Sequence, residues 1–287
     1  MGMKTEWRER LADLADDDRI DAHTHSTFSD GTDDPCEIVK KAAEAGLAGV
    51  ALSDHDTLDG YRYAAKNGVP ERFLLLPATE LTAYYDEHEI HVLGYGFDPE
   101  DESLSAFLQT CAQHRRKRAI KILNNLRVKA GIELDFDRMA EKHGESPLGR
   151  PHIAHELVSN GVCRNYYEAF HKYLNDSSPY VEQKYKVSVT DAVRVLHGAG
   201  GKAVLAHPGT LNKKVQVTHL ITLGLDGIET GHPQHDFVFE RAMNRYSRKR
   251  NLPTTGGSDY HGQHRPGLGV GDRSTTAKQL RQLLSAG

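Results

Sequence analysis

The chain has 287 residues, of which 38% are hydrophobic and 26% charged, enough for one large α/β domain or for a domain with an insertion. A formal net charge of -4 and a mean hydropathy of -0.58 exclude a global basic field that would draw in nucleic acid, and no stretch is long or apolar enough to span a bilayer. Cys36, Cys111 and Cys163 are odd in number and form no C-x-x-C pair; this excludes a disulfide framework and a zinc knuckle and, with a charged N-terminus that lacks the apolar run of a signal peptide, predicts a cytoplasmic protein.

In chain order, Trp7, Leu11 and Leu14 place a short amphipathic helix over residues 4–15. Ile20 opens a first strand that runs into Asp21-Ala22-His23-Thr24-His25-Ser26. Residues two apart on a strand share a face, so His23 and His25 project together, and Asp30 can fold back from the loop. Two neutral imidazoles beside a carboxylate make half of a transition-metal site. Asp34-Pro35 starts a helix with proline at its first position, and Gly46 ends it. Gly49-Val50-Ala51-Leu52 has the apolar run of a buried parallel strand and delivers Asp54, His55 and Asp56. A helix over 59–66 follows, then a strand over 72–77 that delivers Glu80. An alternating strand over 89–95 then carries His91.

From about Asp101 the texture changes. Residues 101–131 are helical with a basic centre that includes Arg118 and Lys121, and shorter helical patterns cover 135–143, 150–160 and 164–174. No strand is predicted before Lys202, so residues 101–185 read as a helical insertion into a domain formed by 1–100 and 186–287. Alternation then resumes: a helix over 189–199, a strand over 202–206 delivering His207, a helix over 214–223, a strand over 226–230 delivering Gly231-His232-Pro233-Gln234-His235, a helix over 236–250, then Asp259 and His261, and a last helix over 275–285. Strands alternating with helices predict βαβ units and a parallel sheet. In closed barrels of that kind the chemistry sits at the C-terminal strand ends, which is where these histidines and carboxylates fall.

Four segments carry a family resemblance: Asp21-Ala22-His23-Thr24-His25-Ser26 with Asp30; Leu52-Ser53-Asp54-His55-Asp56; Ala206-His207-Pro208-Gly209; and Gly257-Ser258-Asp259-Tyr260-His261. In order and spacing they resemble the polymerase-and-histidinol-phosphatase (PHP) family of metal-dependent phosphoesterases, over essentially the whole chain. The resemblance implies a distorted seven-stranded (β/α)7 barrel with a helical insertion, and usually three divalent ions. It implies one ion on His23, His25, Glu80 and Asp259, a second sharing Glu80 with His91 and His207, and a third on Asp30, His55 and His261. Asp54 and Asp56 are then expected to orient ligands or water; for Asp56 a helix cap is the structural alternative.

Clustered cations offset the repulsion between an anionic ester and hydroxide, and lower the pKa of a bound water. A hydroxide bridging the first two ions is the expected nucleophile, with His23, His25, Glu80, Asp259 and His55 as the residues carrying the chemistry. Mixed imidazole and carboxylate ligands suit Mn, Fe or Zn. Gly149-Arg150-Pro151-His152 resembles an element of one PHP subgroup and starts a helix; Arg150 offers a forked donor for phosphate, with His152 beside it. Arg118, Asp56 and His235 are further substrate-binding candidates. A solvated helix face is the alternative for the basic run, an ordinary helix start for Arg150, and a loop histidine for His235.

The subgroup with this insertion includes phosphatases that remove the 3′-phosphate of nucleoside 3′,5′-bisphosphates and relatives that trim short RNA from the 5′ end. The expected substrate is therefore a small phosphate ester, a nucleotide or a short RNA, with no membrane and no obligate protein partner. Histidinol phosphate or another small phosphate ester is the nearest alternative. An amidohydrolase would want a lysine where Glu80 stands, and a non-catalytic metal-binding module would be expected to have lost ligands that are all present here.

Overall fold

The computed structural model describes residues 3–143, 148–175, 177–182 and 185–285. Helix α1 (Met3–Asp13) leads into strand β1 (Arg19–Thr24), followed by α2 (Pro35–Glu44), β2 (Gly49–Leu52), α3 (Asp59–Asn67), β3 (Leu74–Tyr85) and β4 (His88–Tyr95). Next come α4 (Glu102–Ala130), α5 (Phe136–His143), α6 (Arg150–Ser159) and α7 (Tyr166–Ala169), the last continuing as one π-helical turn over Phe170–Leu174. The chain then returns through α8 (Val189–Gly198), β5 (Lys202–Leu205), α9 (Val217–Ile221), β6 (Gly227–Gly231), α10 (Phe237–Arg250), β7 (Thr254–Gly256), β8 (Thr275–Thr276) and α11 (Ala277–Ser285).

The strands form one sheet in the order β7-β6-β5-β4-β3-β2-β1-β8. Beyond β7 the chain closes the sheet onto β1: the Asp259 amide donates to the His23 carbonyl and the His25 amide to the Tyr260 carbonyl, both at 2.8 Å. The result is the expected α/β barrel, closed at its C-terminal end by a strap over residues 257–261. Inside it, Ile20, Ala22, Ala51, Leu76, Leu93 and Val204 share one apolar core with Trp7 and with Leu280 and Leu283 of α11. The Tyr95 hydroxyl crosses that core to donate to the Ala22 carbonyl at 2.7 Å.

Three elements differ from expectation. The strand expected over 72–77 runs on to Tyr85, so Glu80 lies within a strand rather than after one. Leu81-Thr82-Ala83-Tyr84-Tyr85 is a β-forming run, and it pairs antiparallel with β4 across a two-residue turn, Tyr85 opposite His88. β4 is consequently antiparallel to β5 as well, and His91 enters from the middle of a strand running against its neighbours. The helix expected over 214–223 contracts to Val217–Ile221, in a segment whose Val215, Val217 and Thr218 are stiff β-branched residues. Thr275 and Thr276 begin no helix; they pair with Ile20 and Arg19, and the Thr276 hydroxyl accepts from the Gln279 amide at 3.2 Å as the cap of α11.

Between β4 and α8 the long helix α4 joins two cores. Leu104, Leu108 and Cys111 pack with Ile90, Val92, Leu196 and Leu205 of the barrel wall. One end of the same helix is thus in the barrel, while Ala119, Ile122, Leu123 and Leu126 pack with Ile153, Leu157, Ala169 and Leu174 in a separate cluster. This places α6 and its neighbours over the barrel mouth. No helix among the described residues is long and apolar enough to cross a membrane.

Candidate metal centre

β1 presents its histidines through a slip in register. Asp21 is opposite Val50 and Thr24 opposite Leu52, so three steps on β1 match two on β2. Such bulges re-aim side chains next to functional sites. Here Ala22 stays in the apolar interior while the next residue, His23, joins a polar cluster above it. The buried Asp21 anchors the bulge by accepting amides from Ser258 at 2.9 Å and Gly271 at 2.8 Å.

Glu80 stands at the centre. Its Oε1 lies 2.9 Å from both His91 Nδ1 and His207 Nε2. Its Oε2 lies 3.2 Å from His23 Nε2 and 3.1 Å from His25 Nε2. Asp259 Oδ1 is 3.4 Å from His23 Nε2 and 3.3 Å from His25 Nε2. On the outer side Asp30 Oδ1 is 3.2 Å from His261 Nε2, and Asp30 Oδ2 is 3.7 Å from His55 Nε2. Among the described residues, three groups therefore bring ligand atoms within 4.8 Å of one another: His23, His25, Glu80 and Asp259; His25, Asp30, His55 and His261; and His55, Glu80 and His91. The first matches the expected set, the second adds His25 to it, and the third has His55 where His207 was expected. His207 nevertheless reaches the same Glu80 oxygen as His91.

The donor chemistry fits divalent cations. Burial opposes charge throughout, yet the surrounding imidazoles of His91, His23 and His55 hold the Glu80 carboxyl well below its usual range. Burial opposes the Asp30 charge too, and His261 and His55 hold that carboxyl low. Burial alone would lower His23, but Glu229, Glu80 and Asp259 hold it well above the usual value. His25 is raised to about 9 against its burial by hydrogen bonds to Asp259 and Glu80. In His55 burial prevails and pushes it down to about 3. Buried His25 Nδ1, Asp30 Oδ1 and His55 Nδ1 have no hydrogen-bond partner. Buried polar atoms are ordinarily satisfied; His25 Nδ1 lies 3.7 Å from Asp30 Oδ1 and His55 Nδ1 3.4 Å from Glu80 Oε2, so all three belong to the groups above, where cations would satisfy them. The set is nitrogen and oxygen only, as Mn, Fe and Zn accept.

Backbone strain concentrates here as well. Asp56, His207 and Asp259 have φ of 53°, 27° and 51°, a region costly for side-chain-bearing residues and held only where the surroundings dictate it.

Above the cluster is a pocket of about 290 Å³ whose floor includes Asp30, His55, His91 and His261. Arg118 and Arg150 line it, Arg118 Nε donating to the Glu182 carbonyl at 2.9 Å and Arg150 Nη1 to the Leu174 carbonyl at 3.0 Å. Asp56 also lines it, but it caps no helix: its carboxylate accepts from the Thr82 amide at 2.8 Å and hydroxyl at 3.0 Å and from Arg115. Asp54 accepts from the Ser26 amide and the Ser26 and Ser29 hydroxyls, and so shapes the loop between His25 and Asp30. His152 and His235 are outside the lining. His152 Nε2 donates to the Ser29 carbonyl at 2.7 Å while Nδ1 accepts from the Gly149 amide at 3.2 Å. His235 Nδ1 donates to the Thr230 carbonyl at 2.9 Å while Nε2 accepts from the Gly209 amide at 3.0 Å. Both rings thus tie loops together. Lys121 is exposed and outside the pocket, and no lysine among the described residues lines it.

Four neighbours were not singled out in the sequence. Glu229, on β6, lies 3.0 Å from His23 Nδ1 and accepts the His207 amide at 2.7 Å. His232 Nε2 is 3.1 Å from Asp259 Oδ2, which Arg265 also contacts. Arg115 reaches Asp56 and donates to Thr82 Oγ1 at 2.8 Å. A carboxylate within a short apolar strand was the available signal for Glu229, and for Arg115 it was the shared helix face of Cys111, Arg115, Arg118 and Ile122. Because an imidazole's second nitrogen fixes its tautomer and orientation, Glu229→Gln is expected to cut catalytic turnover by at least ~10-fold, with the fold retained by circular dichroism.

The sequence profile of the PHP domain matches residues 21–207. A 3′,5′-nucleoside bisphosphate phosphatase of Chromobacterium violaceum is 33% identical over 260 residues, covering 88% of this chain and 90% of that protein. A 5′-3′ exoribonuclease of Haemophilus influenzae is 30% identical over 249 residues, covering 85% and 90%. Among solved structures, a Bifidobacterium adolescentis chain provisionally assigned as a metal-dependent phosphoesterase superposes with a TM-score of 0.79 at 29% identity, covering 92% of this chain and 95% of that one.

Proposed function

We propose a substrate for this chain, which belongs to the PHP domain family of metal-dependent phosphoesterases: a nucleotide carrying a phosphate monoester, above all the 3′-phosphate of a nucleoside 3′,5′-bisphosphate. The observation that carries this reading is the pairing of the metal-type cluster with a pocket walled by Arg115, Arg118, Arg150 and Arg265. The floor offers ligands for cations, and the arginines around it offer guanidinium forks for the anionic groups of a substrate. Phe170 and Ile122 add an apolar wall between, suited to a base or sugar.

In this reading His23, His25, Glu80 and Asp259 hold one divalent ion. Glu80, His91 and His207 hold a second, and Asp30, His55 and His261 a third. Bound there, the ions supply Lewis-acid activation of water and of the phosphoryl group. Glu229 and His232 orient His23 and Asp259 from behind. Asp56 holds Arg115 toward the pocket, and the helices over 101–185 act as a cap that grips the substrate away from the reacting bond. His152 and His235 act through the loops they fasten.

Incubated with Mn, the protein is expected to release inorganic phosphate from adenosine 3′,5′-bisphosphate faster than from sugar phosphates or histidinol phosphate, leaving AMP. Bound metal without phosphate release from any of these esters would sink the reading and favour a non-catalytic module. A second reading, trimming of short RNA from the 5′ end, is favoured by Tyr185, which lines the pocket yet is 49% exposed and stacks on His114 at 3.9 Å. Such a face can carry a further base at the mouth.

A further inference from the structure

We propose that the cleft between α10 and α11 is a second anion site, which takes a small phosphate-bearing molecule at the end of the barrel away from the metal cluster. The cleft has a volume of about 770 Å³, against about 290 Å³ for the pocket over the cluster. Its floor is Thr254, whose hydroxyl accepts from Gln279 Nε2 at 2.9 Å. Thr254 opens β7, and the metal-type residues Asp259 and His261 lie beyond the other end of that strand. The two sites share no residue.

The cleft wall is rich in hydrogen-bond donors. On α10, Arg241, Asn244, Ser247 and Arg248 follow the three- and four-residue spacing of a single helix face, the capping Asn251 lies just beyond them, and Gln282 lines the cleft from α11. Arg241 and Arg248 have no carboxylate partner among the described residues. Glu240, also on the wall, has a carboxylate 3.6 Å from Arg273 Nη1, so it is drawn to another cation. α10 carries Arg241, Arg245, Arg248, Lys249 and Arg250 against the single acid Glu240, in a chain whose net charge is negative.

A solvated basic face would account for the arginines alone. It does not account for Ser247, which is 2% exposed, lines the cleft and has a hydroxyl with no hydrogen-bond partner. Buried hydroxyls in native proteins are ordinarily paired. A phosphate group satisfies the whole set: its oxygens accept from forked guanidiniums and from the serine and asparagine donors between them.

The test is arginine footprinting of the full, metal-loaded chain with phenylglyoxal, read by peptide mass spectrometry. AMP, inorganic phosphate and adenosine form separate arms at matched ionic strength. Arg241 and Arg248 are expected to be protected by AMP; protection by inorganic phosphate as well identifies the phosphate group as sufficient. Adenosine should protect neither. In calorimetry, AMP should occupy two sites per wild-type chain and one in the Arg241→Ala/Arg248→Ala double variant, whose phosphate-ester turnover stays unchanged. Ser247→Ala should weaken the second site several-fold with the circular dichroism spectrum retained. Protection by adenosine, or two AMP sites persisting in the double variant, overturns the proposal. So does a short 5′-phosphorylated RNA that protects Arg245 and Arg250 together with the cleft arginines while AMP protects none, because the face would then be a backbone track.

Discussion

Glu80→Gln is expected to lower phosphate release by roughly 10³-fold, since a metal cluster supplies several kcal/mol of charge stabilisation and each ~1.4 kcal/mol is tenfold in rate. The same substitution should remove two ions. The reason is geometric. One Glu80 oxygen faces His91 and His207, the other faces His23 and His25, so one carboxylate is common to two ligand groups. A glutamine keeps the shape but loses the charge and turns an N–H2 donor toward one pair of ring nitrogens. The buried His23–His25 pair and the half-buried His91–His207 pair then lose the anion that faces both. Metal content after dialysis is the decisive readout, because lost turnover alone also follows from a misfolded barrel. Full metal occupancy in the variant would show that Glu80 does not bridge.

The histidines and acids of the cluster were legible because parallel strands in a barrel all end on one rim. A chain that places His-x-His, Asp-His-Asp, a lone His and Asp-x-His after successive apolar runs has few ways to avoid bringing them together. Two kinds of information were not legible. The first is strand continuation: the sequence punctuates β3 at Pro77, but proline at that point interrupts nothing, and pairing with β4 carries the strand on to Tyr85. The correct face for Glu80 and His91 therefore depended on an antiparallel partner, a tertiary fact. The second is the layer behind the ligands. Glu229 and Arg265 matter only because the fold sets them against His23 and Asp259, and their sequence surroundings carry no periodic signal. The same holds for His152 and His235: as residues near strand and helix ends they looked available to substrate, but backbone groups occupy both nitrogens of each ring.

Rim geometry also explains where the chain tolerates awkward backbone. Asp56, His207 and Asp259 each follow a strand, each has positive φ, and each stands in or beside the cluster. A strand leaving a barrel would ordinarily carry its next residues outward over the helix layer. A left-handed residue turns the chain instead, which keeps the following segment close to its neighbours. At Asp259 that turn holds the strap against β1, where two backbone hydrogen bonds fasten it. The geometry of the cluster thus depends on main-chain packing as much as on the side chains.

That dependence predicts the effect of a substitution that removes no ligand. A Cβ added to Gly257 would be 2.4 Å from both the backbone nitrogen and the Cβ of His23, and neither can swing aside as a flexible side-chain end would. The strap must move off β1, and it carries Asp259 and His261. A displacement of ~1 Å at a reacting site costs on the order of 10²-fold in rate, and overpacking of this kind costs about 1–3 kcal/mol of stability. Gly257→Ala is therefore expected to lose about two orders of magnitude of phosphate release with every ligand residue intact. Gly198→Ala is the matched control: Gly198 ends α8 and a Cβ there meets nothing within 4 Å, so activity should be unchanged and stability equal or slightly higher. The measurement is turnover alongside the urea midpoint for both variants. Wild-type activity in Gly257→Ala would mean that the strap can shift without moving Asp259, and that the close approach of residues 257 and 23 does not set the geometry of the cluster.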